Sequence, residues 1–158
     1  MKKEAGFSLV EALVAIGIAT VVLVSLLVAF QSFLRAALDL PTRVKASYLA
    51  EEGLEALRII RDQSWASSLG TLTVGNTYYL AFTGVVWQTT TTPQYIDGRF
   101  LRSFTISSVA RDGNDDITSS GGTIDLYTKK VTVSISWSTR SATTTLTLPT
   151  YFTRLVNN

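Results

Sequence analysis

The side chain whose position raises the first chemical question is Glu11, which lies among apolar residues at the start of a long uncharged stretch. No charged residue occurs from Ala12 to Leu34. An ionised carboxylate in a membrane helix costs about 2.5–3.5 kcal/mol near the bilayer centre and less near its end, so it normally has a partner and a function. Two interpretations of Glu11 therefore stay open: a functional carboxylate that needs a cationic partner, or a side chain at the headgroup boundary.

The composition removes most enzymatic chemistry from consideration. The chain has 158 residues and contains neither cysteine nor histidine, which excludes disulfides, thiolate or imidazole metal ligands and Ser-His-Asp triads. The 14 Lys+Arg residues exceed the 12 Asp+Glu residues by only two, too little to indicate a nucleic-acid partner. No phosphate-binding loop, pair of catalytic carboxylates or metal-ligand motif is present in the sequence. We therefore expect no enzymatic activity, no cofactor and no metal.

Three weaker groups of side chains could bind a partner, and each also has an ordinary structural interpretation. The segment Asp112–Asp116 gathers oxygen ligands of the kind that calcium prefers, but it lacks the ligand spacing of an EF-hand, and a simple turn explains it better. The aromatic candidates, which we expect to lie in the core, are Trp65, Tyr78, Tyr79, Trp87 and Trp137. The basic candidates, which could face DNA but which we expect on solvated strand faces, are Arg99, Arg102, Arg111, Lys129, Lys130 and Arg140.

The first half of the chain is predicted to be helical. The uncharged stretch from Ala12 to Leu34 is long enough to span a bilayer and longer than the apolar region of a secretory signal, which runs about 7–15 residues. Basic residues flank it on both sides, so charge does not settle its orientation. We expect Pro41 to act as a kink or local restart of the helix. Beyond it, the apolar residues at helical spacing are Ala46, Leu49, Gly53, Ala56, Leu57 and Ile60.

The second half of the chain is predicted to be β-rich. Alternating apolar and polar residues are clearest from Val131 to Trp137, and Gly75-Asn76 is a two-residue hairpin signal. Thr89–Pro93 is predicted to be a loop, and Pro149 places the last strand at an edge or at a strand end. The predicted strands are Leu69–Val74, Thr77–Thr83, Gly84–Thr89, Phe100–Val109, Val131–Trp137 and Thr143–Tyr151. The order predicts an α+β fold, a long N-terminal helix packed on a C-terminal antiparallel β-sheet.

The first fifteen residues, MKKEAG followed by FSLVEALVA, strongly resemble the signal of type IV pilins and pseudopilins. A short charged leader, the Gly6-Phe7 junction and the acidic residue at Glu11 all agree with that signal. The resemblance implies that a prepilin peptidase cleaves after Gly6 and that Phe7 becomes the N-methylated terminus. It also implies that Glu11 neutralises the terminal amine of a neighbouring subunit during filament assembly.

The resemblance implies a division of the chain and a function. The expected parts are a leader (1–6), a transmembrane and filament-core half of the helix (7–34), an amphipathic half (35–64) and a β-rich globular domain (65–158). The segment from Ala46 to Arg58 is similar to minor pilins of the V type and to I-class secretion pseudopilins. We therefore expect a structural filament subunit, most like a minor pilin. A type II secretion pseudopilin, a DNA-uptake or adhesion subunit, and an unrelated signal-anchored protein remain alternatives.

The same resemblance implies partners and a location. The expected partners are the prepilin peptidase, other pilin subunits contacted through the N-terminal helix, and the assembly platform of the inner membrane. Nucleic acid stays open as a partner. The chain is expected to cross the inner membrane once before assembly and to be part of an extracellular or periplasmic filament afterwards.

Overall fold

The computed structural model describes residues 8–139 and 142–155. Within that part, one helix is followed by seven strands: α1 (Leu9–Gln63), β1 (Thr77–Phe82), β2 (Trp87–Thr90), β3 (Tyr95–Ile96), β4 (Phe100–Arg111), β5 (Ile117–Thr118), β6 (Thr123–Ser138) and β7 (Thr143–Thr153). The chain divides into two compact units, Met1–Arg43 and Val44–Asn158. The fold is α+β and pilin-like, as the sequence predicts, with helix residues packed on an antiparallel sheet.

The sheet is not a simple meander, because β1 lies between β2 and β4 and the chain therefore passes across β1 after β2. Its main path runs β2-β1-β4-β6-β7, while β3 and β5 each pair with β4 beside that path. Every pairing is antiparallel, which suits the short connections between successive strands. Pro149 of β7 lies opposite Thr132 of β6. β7 is at the edge of the sheet. Its predicted edge position is therefore confirmed, and it follows from the missing N–H of proline.

One face of the sheet packs on the second half of α1. In β6, Val131, Val133 and Ile135 are fully buried, and the residues between them are half-buried on the other face. The predicted helical stripe is confirmed, since all six of its members belong to the buried residues of α1, which are Ala46, Leu49, Ala50, Gly53, Leu54, Ala56, Leu57 and Ile60. The two periodicities, about 3.6 residues in the helix and 2 in the strand, thus meet in one apolar layer.

The predicted strand Leu69–Val74 is wrong, because this segment forms turns. Trp65 and Leu69 are both buried at a spacing of four residues, and the Gly70 N–H donates to the Trp65 carbonyl at 2.9 Å. The predicted turn at Gly75 does form, with φ at 85°. Its N–H, however, donates to the Ile106 carbonyl at 2.9 Å. This turn is therefore hydrogen-bonded to β4 and does not connect two strands of a hairpin.

A hairpin forms between β1 and β2, one turn later than the predicted turn at Gly75-Asn76. The Thr83 N–H donates to the Val86 carbonyl at 3.0 Å, and Gly84 has a φ of 91°, a region that glycine enters at little cost. The first residues of the predicted strand Gly84–Thr89 are therefore a turn. The predicted loop Thr89–Pro93 begins too early, because β2 continues through Thr90.

Candidate functional site

The first half of α1 exposes its apolar side chains within this chain. Leu9 is 84% and Val21 67% exposed, and side chains all round the helix share this exposure. By length and composition the helix could cross a membrane. A helix that is apolar on every side needs an apolar environment, either lipid or the helices of other chains.

The polar side chains of this stretch are satisfied inside the helix. The hydroxyl of Thr20 donates to the Ile16 carbonyl at 2.7 Å. The hydroxyl of Ser25 donates to the Val21 carbonyl at 2.8 Å, and that of Ser32 to the Val28 carbonyl at 3.0 Å. An unsatisfied polar group in hydrocarbon costs several kcal/mol. These back-bonds therefore allow the helix to enter lipid without leaving a hydroxyl unpaired.

Glu11 lies in the first turn of α1, where a negative charge is stabilised by the positive end of the helix dipole. Its side chain is exposed. Among residues 8–139 and 142–155, no side chain forms a hydrogen bond or an ion pair with its carboxylate. Gly6 and Phe7, the other two predicted site residues, lie outside the described residues. Within the described part of the chain, the structure therefore places one acidic group at the start of the apolar helix.

The start of the chain matches a known family. The Prokaryotic N-terminal methylation motif matches residues 1–27. The chain carries a type IV pilin-like prepilin signal. Comparisons with curated proteins and with solved structures found no match.

A prepilin signal has direct consequences for this chain. It implies processing by a prepilin peptidase and assembly with other pilins. The apolar helix that overlaps the motif fits anchoring in a membrane before assembly.

Among the described residues of the second compact unit, Val44–Asn158, which we call the β unit, the most buried charge is Arg102. The sequence had placed it on a solvated strand face or in a DNA-facing patch. Both expectations are wrong for this residue, because it is only 5% exposed. Its Nη1 donates to the Leu49 carbonyl at 3.3 Å and lies 3.2 Å from the Glu52 carboxylate. Burial lowers the pKa of Arg102, and the charge of Glu52 opposes that shift. Arg102 thus joins β4 to the second half of α1.

The other basic candidates lie in different settings. Arg111 is held by Asp125, and Lys129 Nζ donates to the Gly70 carbonyl at 3.4 Å. Arg99 is exposed and Lys130 half-buried, while Arg140 lies outside the described residues. Arg111 and Lys129 therefore serve separate local contacts.

The aromatic candidates are mostly core, as predicted. Trp65, Tyr78 and Trp137 are buried, while Tyr79 and Trp87 are half-buried. Trp87 has a role that the sequence did not reveal, because the guanidinium of Arg102 lies 5.0 Å from the centre of its ring. Such a cation–π contact helps to stabilise a buried guanidinium.

The segment Asp112–Asp116 forms a turn, as predicted. Oδ1 of Asp112 accepts the N–H groups of Asn114 at 2.9 Å and of Asp116 at 3.0 Å. The Asp112 N–H donates to the Asp116 carbonyl at 2.9 Å. The Asp112 carboxylate thus accepts hydrogen bonds from the backbone of its own turn. The segment connects β4 to β5 and is stabilised by this side chain.

Beside this turn lies an ion pair between Arg111 and Asp125. Arg111 Nε donates to Oδ2 of Asp125 at 2.7 Å, and the Tyr127 N–H donates to Oδ1 at 2.8 Å. The Arg111 guanidinium is the main cause that lowers the pKa of the Asp125 carboxyl to about 2, with burial acting in the opposite direction. This pair holds the end of β4 against β6.

We expect the Arg111–Asp125 pair to make the β unit acid-sensitive. Folding lowers the pKa of Asp125 from an unfolded value of about 4. The contribution of the ionised carboxylate to the free energy of unfolding is therefore present above about pH 4 and is lost as the pH falls through about 2. Asp125→Asn should remove about 1–2 kcal/mol of unfolding free energy at neutral pH, allowing for solvent screening. It should also flatten the pH dependence in that window, measured by urea unfolding.

Asp115→Asn is the matched control, since Asp115 is more distant from Arg111 Nε, at 3.6 Å, and is largely exposed. We expect only a few tenths of a kcal/mol from it. Equal losses in the two variants would contradict the assignment of the acid sensitivity to Asp125.

Proposed function

We propose that the chain is a structural subunit of a type IV filament, cleaved after Gly6 and N-methylated at Phe7 before assembly. The observation that carries the proposal is the methylation motif at residues 1–27, overlapping a helix whose apolar side chains are exposed on every side. In this proposal the chain is the substrate of a peptidase and catalyses no reaction itself.

The proposed assembly step depends on two charges. Cleavage after Gly6 would create an amine on Phe7, four residues before Glu11, and such positions share one face of a helix. In a filament core the carboxylate of one subunit would neutralise the amine of its neighbour. An unpaired charge there would be heavily penalised, so the pair would fix the register of the helices more than add stability.

The remaining apolar surface would supply the stabilisation of the core. Side chains from Leu9 to Leu34 that are exposed in the single chain would exchange lipid for the helices of other subunits. The internal hydrogen bonds of Thr20, Ser25 and Ser32 would persist in both environments. The transfer would therefore require no new partner for a polar group.

We further propose that the subunit is a minor pilin. The similarity of the segment Ala46–Arg58 to V-type minor pilins supports this, as does the absence of cysteine from the sequence, because many major pilins cross-link their C-terminal region. A type II secretion pseudopilin would use the same helix in the same way and is the second candidate. In either case the chain would cross the inner membrane once and contact the assembly platform before it joins a filament.

The deciding experiment is a mass measurement on the full chain extracted from the membranes of its native host. We expect the loss of Met1–Gly6 and one methyl group on Phe7, and we expect both changes only when the prepilin peptidase is present. A chain that keeps its leader in the presence of the peptidase would overturn the proposal in favour of a plain signal-anchored protein.

A further inference from the structure

The segment that contains the β1–β2 hairpin is uncharged. No Asp, Glu, Lys or Arg occurs in the sequence between Asp62 and Asp97. Several apolar side chains of this segment are nevertheless exposed, among them Val85 at 85% and Tyr95 at 64%. Because exposed apolar groups are usually interspersed with charges, this part of the surface depends on hydroxyl and amide groups for its hydration.

A threonine tract, Thr89–Thr92, precedes Pro93 in this uncharged segment. Thr89 and Thr90 belong to β2, and the hydroxyl of Thr90 accepts the Thr92 N–H at 3.1 Å. Thr91 and Thr92 are exposed and lie outside the strands. Within the described part of the chain, neither of their hydroxyl groups has a hydrogen-bond partner. These two side chains are therefore available to a reagent or an enzyme.

The backbone at this place is accessible as well. Proline has no N–H to give to a strand ladder, and it biases the preceding residue, Thr92, towards an extended conformation. β3 begins only at Tyr95. An enzyme could therefore bind Thr91–Pro93 in extended form without unpairing the sheet.

A second threonine tract, Thr143–Thr145, has the opposite setting. It belongs to β7 and is paired with Ser138, Trp137 and Ser136 of β6. The hydroxyl of Thr145 lies within 3.0 Å of that of Ser136. The two tracts have similar composition, but only the first continues beyond its strand, at Thr91 and Thr92, and ends next to a proline.

We propose that Thr91 and Thr92 are acceptor sites for O-linked glycosylation from a diphosphate-linked sugar. Threonine tracts with proline are a composition typical of O-glycosylated segments. The hydroxyl oxygen forms a bond to the anomeric carbon of the sugar, and the bond between that carbon and the diphosphate oxygen breaks. The diphosphate leaves with the bonding electrons, and the hydroxyl proton passes to a base of the transferase. The glycan supplies polar bulk to a segment that has no charge.

The sequence allows a direct test by peptide mass. Trypsin cuts after Lys and Arg, so it places the first tract in the peptide Asp62–Arg99 and the second tract in Ser141–Arg154. On the full chain extracted from its native host, we expect sugar-residue mass on the first peptide and none on the second. Fragmentation that preserves the side-chain bond should place the sugar on Thr91, Thr92 or both.

Two variants complete the test. The double change Thr91→Val and Thr92→Val should abolish the added mass, and the matched change Thr143→Val and Thr145→Val should leave it in place. An unmodified Asp62–Arg99 peptide in the wild-type chain, or a sugar that persists in the first variant, would overturn the proposal. The N-terminal peptide of the same digest reports leader cleavage separately, so the glycosylation result and the filament-subunit result remain distinguishable.

Discussion

Glu11→Gln is expected to be cleaved normally and to enter filaments roughly thirtyfold less than the wild-type chain. The change keeps the size of the side chain and removes its charge, while the first helical turn and the apolar stretch stay intact. In the proposed filament core the neighbour's amine would lose its carboxylate. A hydrogen bond to a charged group contributes about 1.5–3 kcal/mol, and about 2 kcal/mol corresponds to that factor. The measurement is the ratio of filament-bound to membrane-bound subunit.

The control for this prediction is Glu51→Gln, an exposed carboxylate in the second half of α1. It removes the same charge from the same helix outside the apolar stretch, so incorporation should stay within about twofold of wild type. Normal incorporation of Glu11→Gln would refute the pairing of carboxylate and amine. Failure of its cleavage would instead place the role of Glu11 at the processing step.

Sequence periodicity was sufficient to predict the type of element and its buried face where one face of that element packs in the core. The stripe Ala46, Leu49, Gly53 repeats at helical spacing, and Val131 to Trp137 alternates at strand spacing, so each pattern specifies its own buried face. The structure confirms both. Leu69–Val74 also combines leucine and valine with threonine, yet it forms turns, because Leu69 is buried together with Trp65 one helical repeat earlier. A short alternation does not distinguish a strand from a packed turn.

The position of Arg102 could have been found from the sequence. Phe100, Phe104 and Ile106 are apolar at every second position of β4, and Arg102 occupies the same face between them. Alternation alone therefore predicts an inward guanidinium, whereas a preference for solvated charges predicts the opposite. The prediction from alternation was correct because Glu52 and the Leu49 carbonyl supply partners on α1. Both partners are distant from Arg102 in the sequence.

The partner of Glu11 could not be predicted from contacts within one chain. The resemblance assigns it to the amine of another subunit, and the described residues supply no alternative partner. When a second subunit completes a site, one sequence shows only its own half of that site. Here that half is an acidic residue next to a span without charges. The family motif was therefore more informative than periodicity at this place.

α1 lies close to the sheet at Gly53. A Cβ atom at this position would lie 3.0 Å from Cδ of Arg102 and 3.2 Å from Cγ1 of Val133. Neither neighbour can move freely, because Val133 is fully buried in β6 and the guanidinium of Arg102 is fixed by α1 and by the ring of Trp87. The absence of a side chain at Gly53 is thus what allows Arg102 to reach the helix.

Gly53→Leu is therefore expected to destabilise the β unit by about 3 kcal/mol, because overpacking of a core typically costs 1–3 kcal/mol and here also displaces a buried charge from its partners. The loss should lower the Tm of the full chain in detergent by roughly 10 °C, followed by near-ultraviolet circular dichroism of the buried tryptophans. Gly17→Leu is the control, since nothing lies within 4 Å of the Cβ it would add. A Gly53→Leu chain as stable as the Gly17→Leu chain would mean that β4 and α1 can separate at this point without loss, and that Arg102 does not join them.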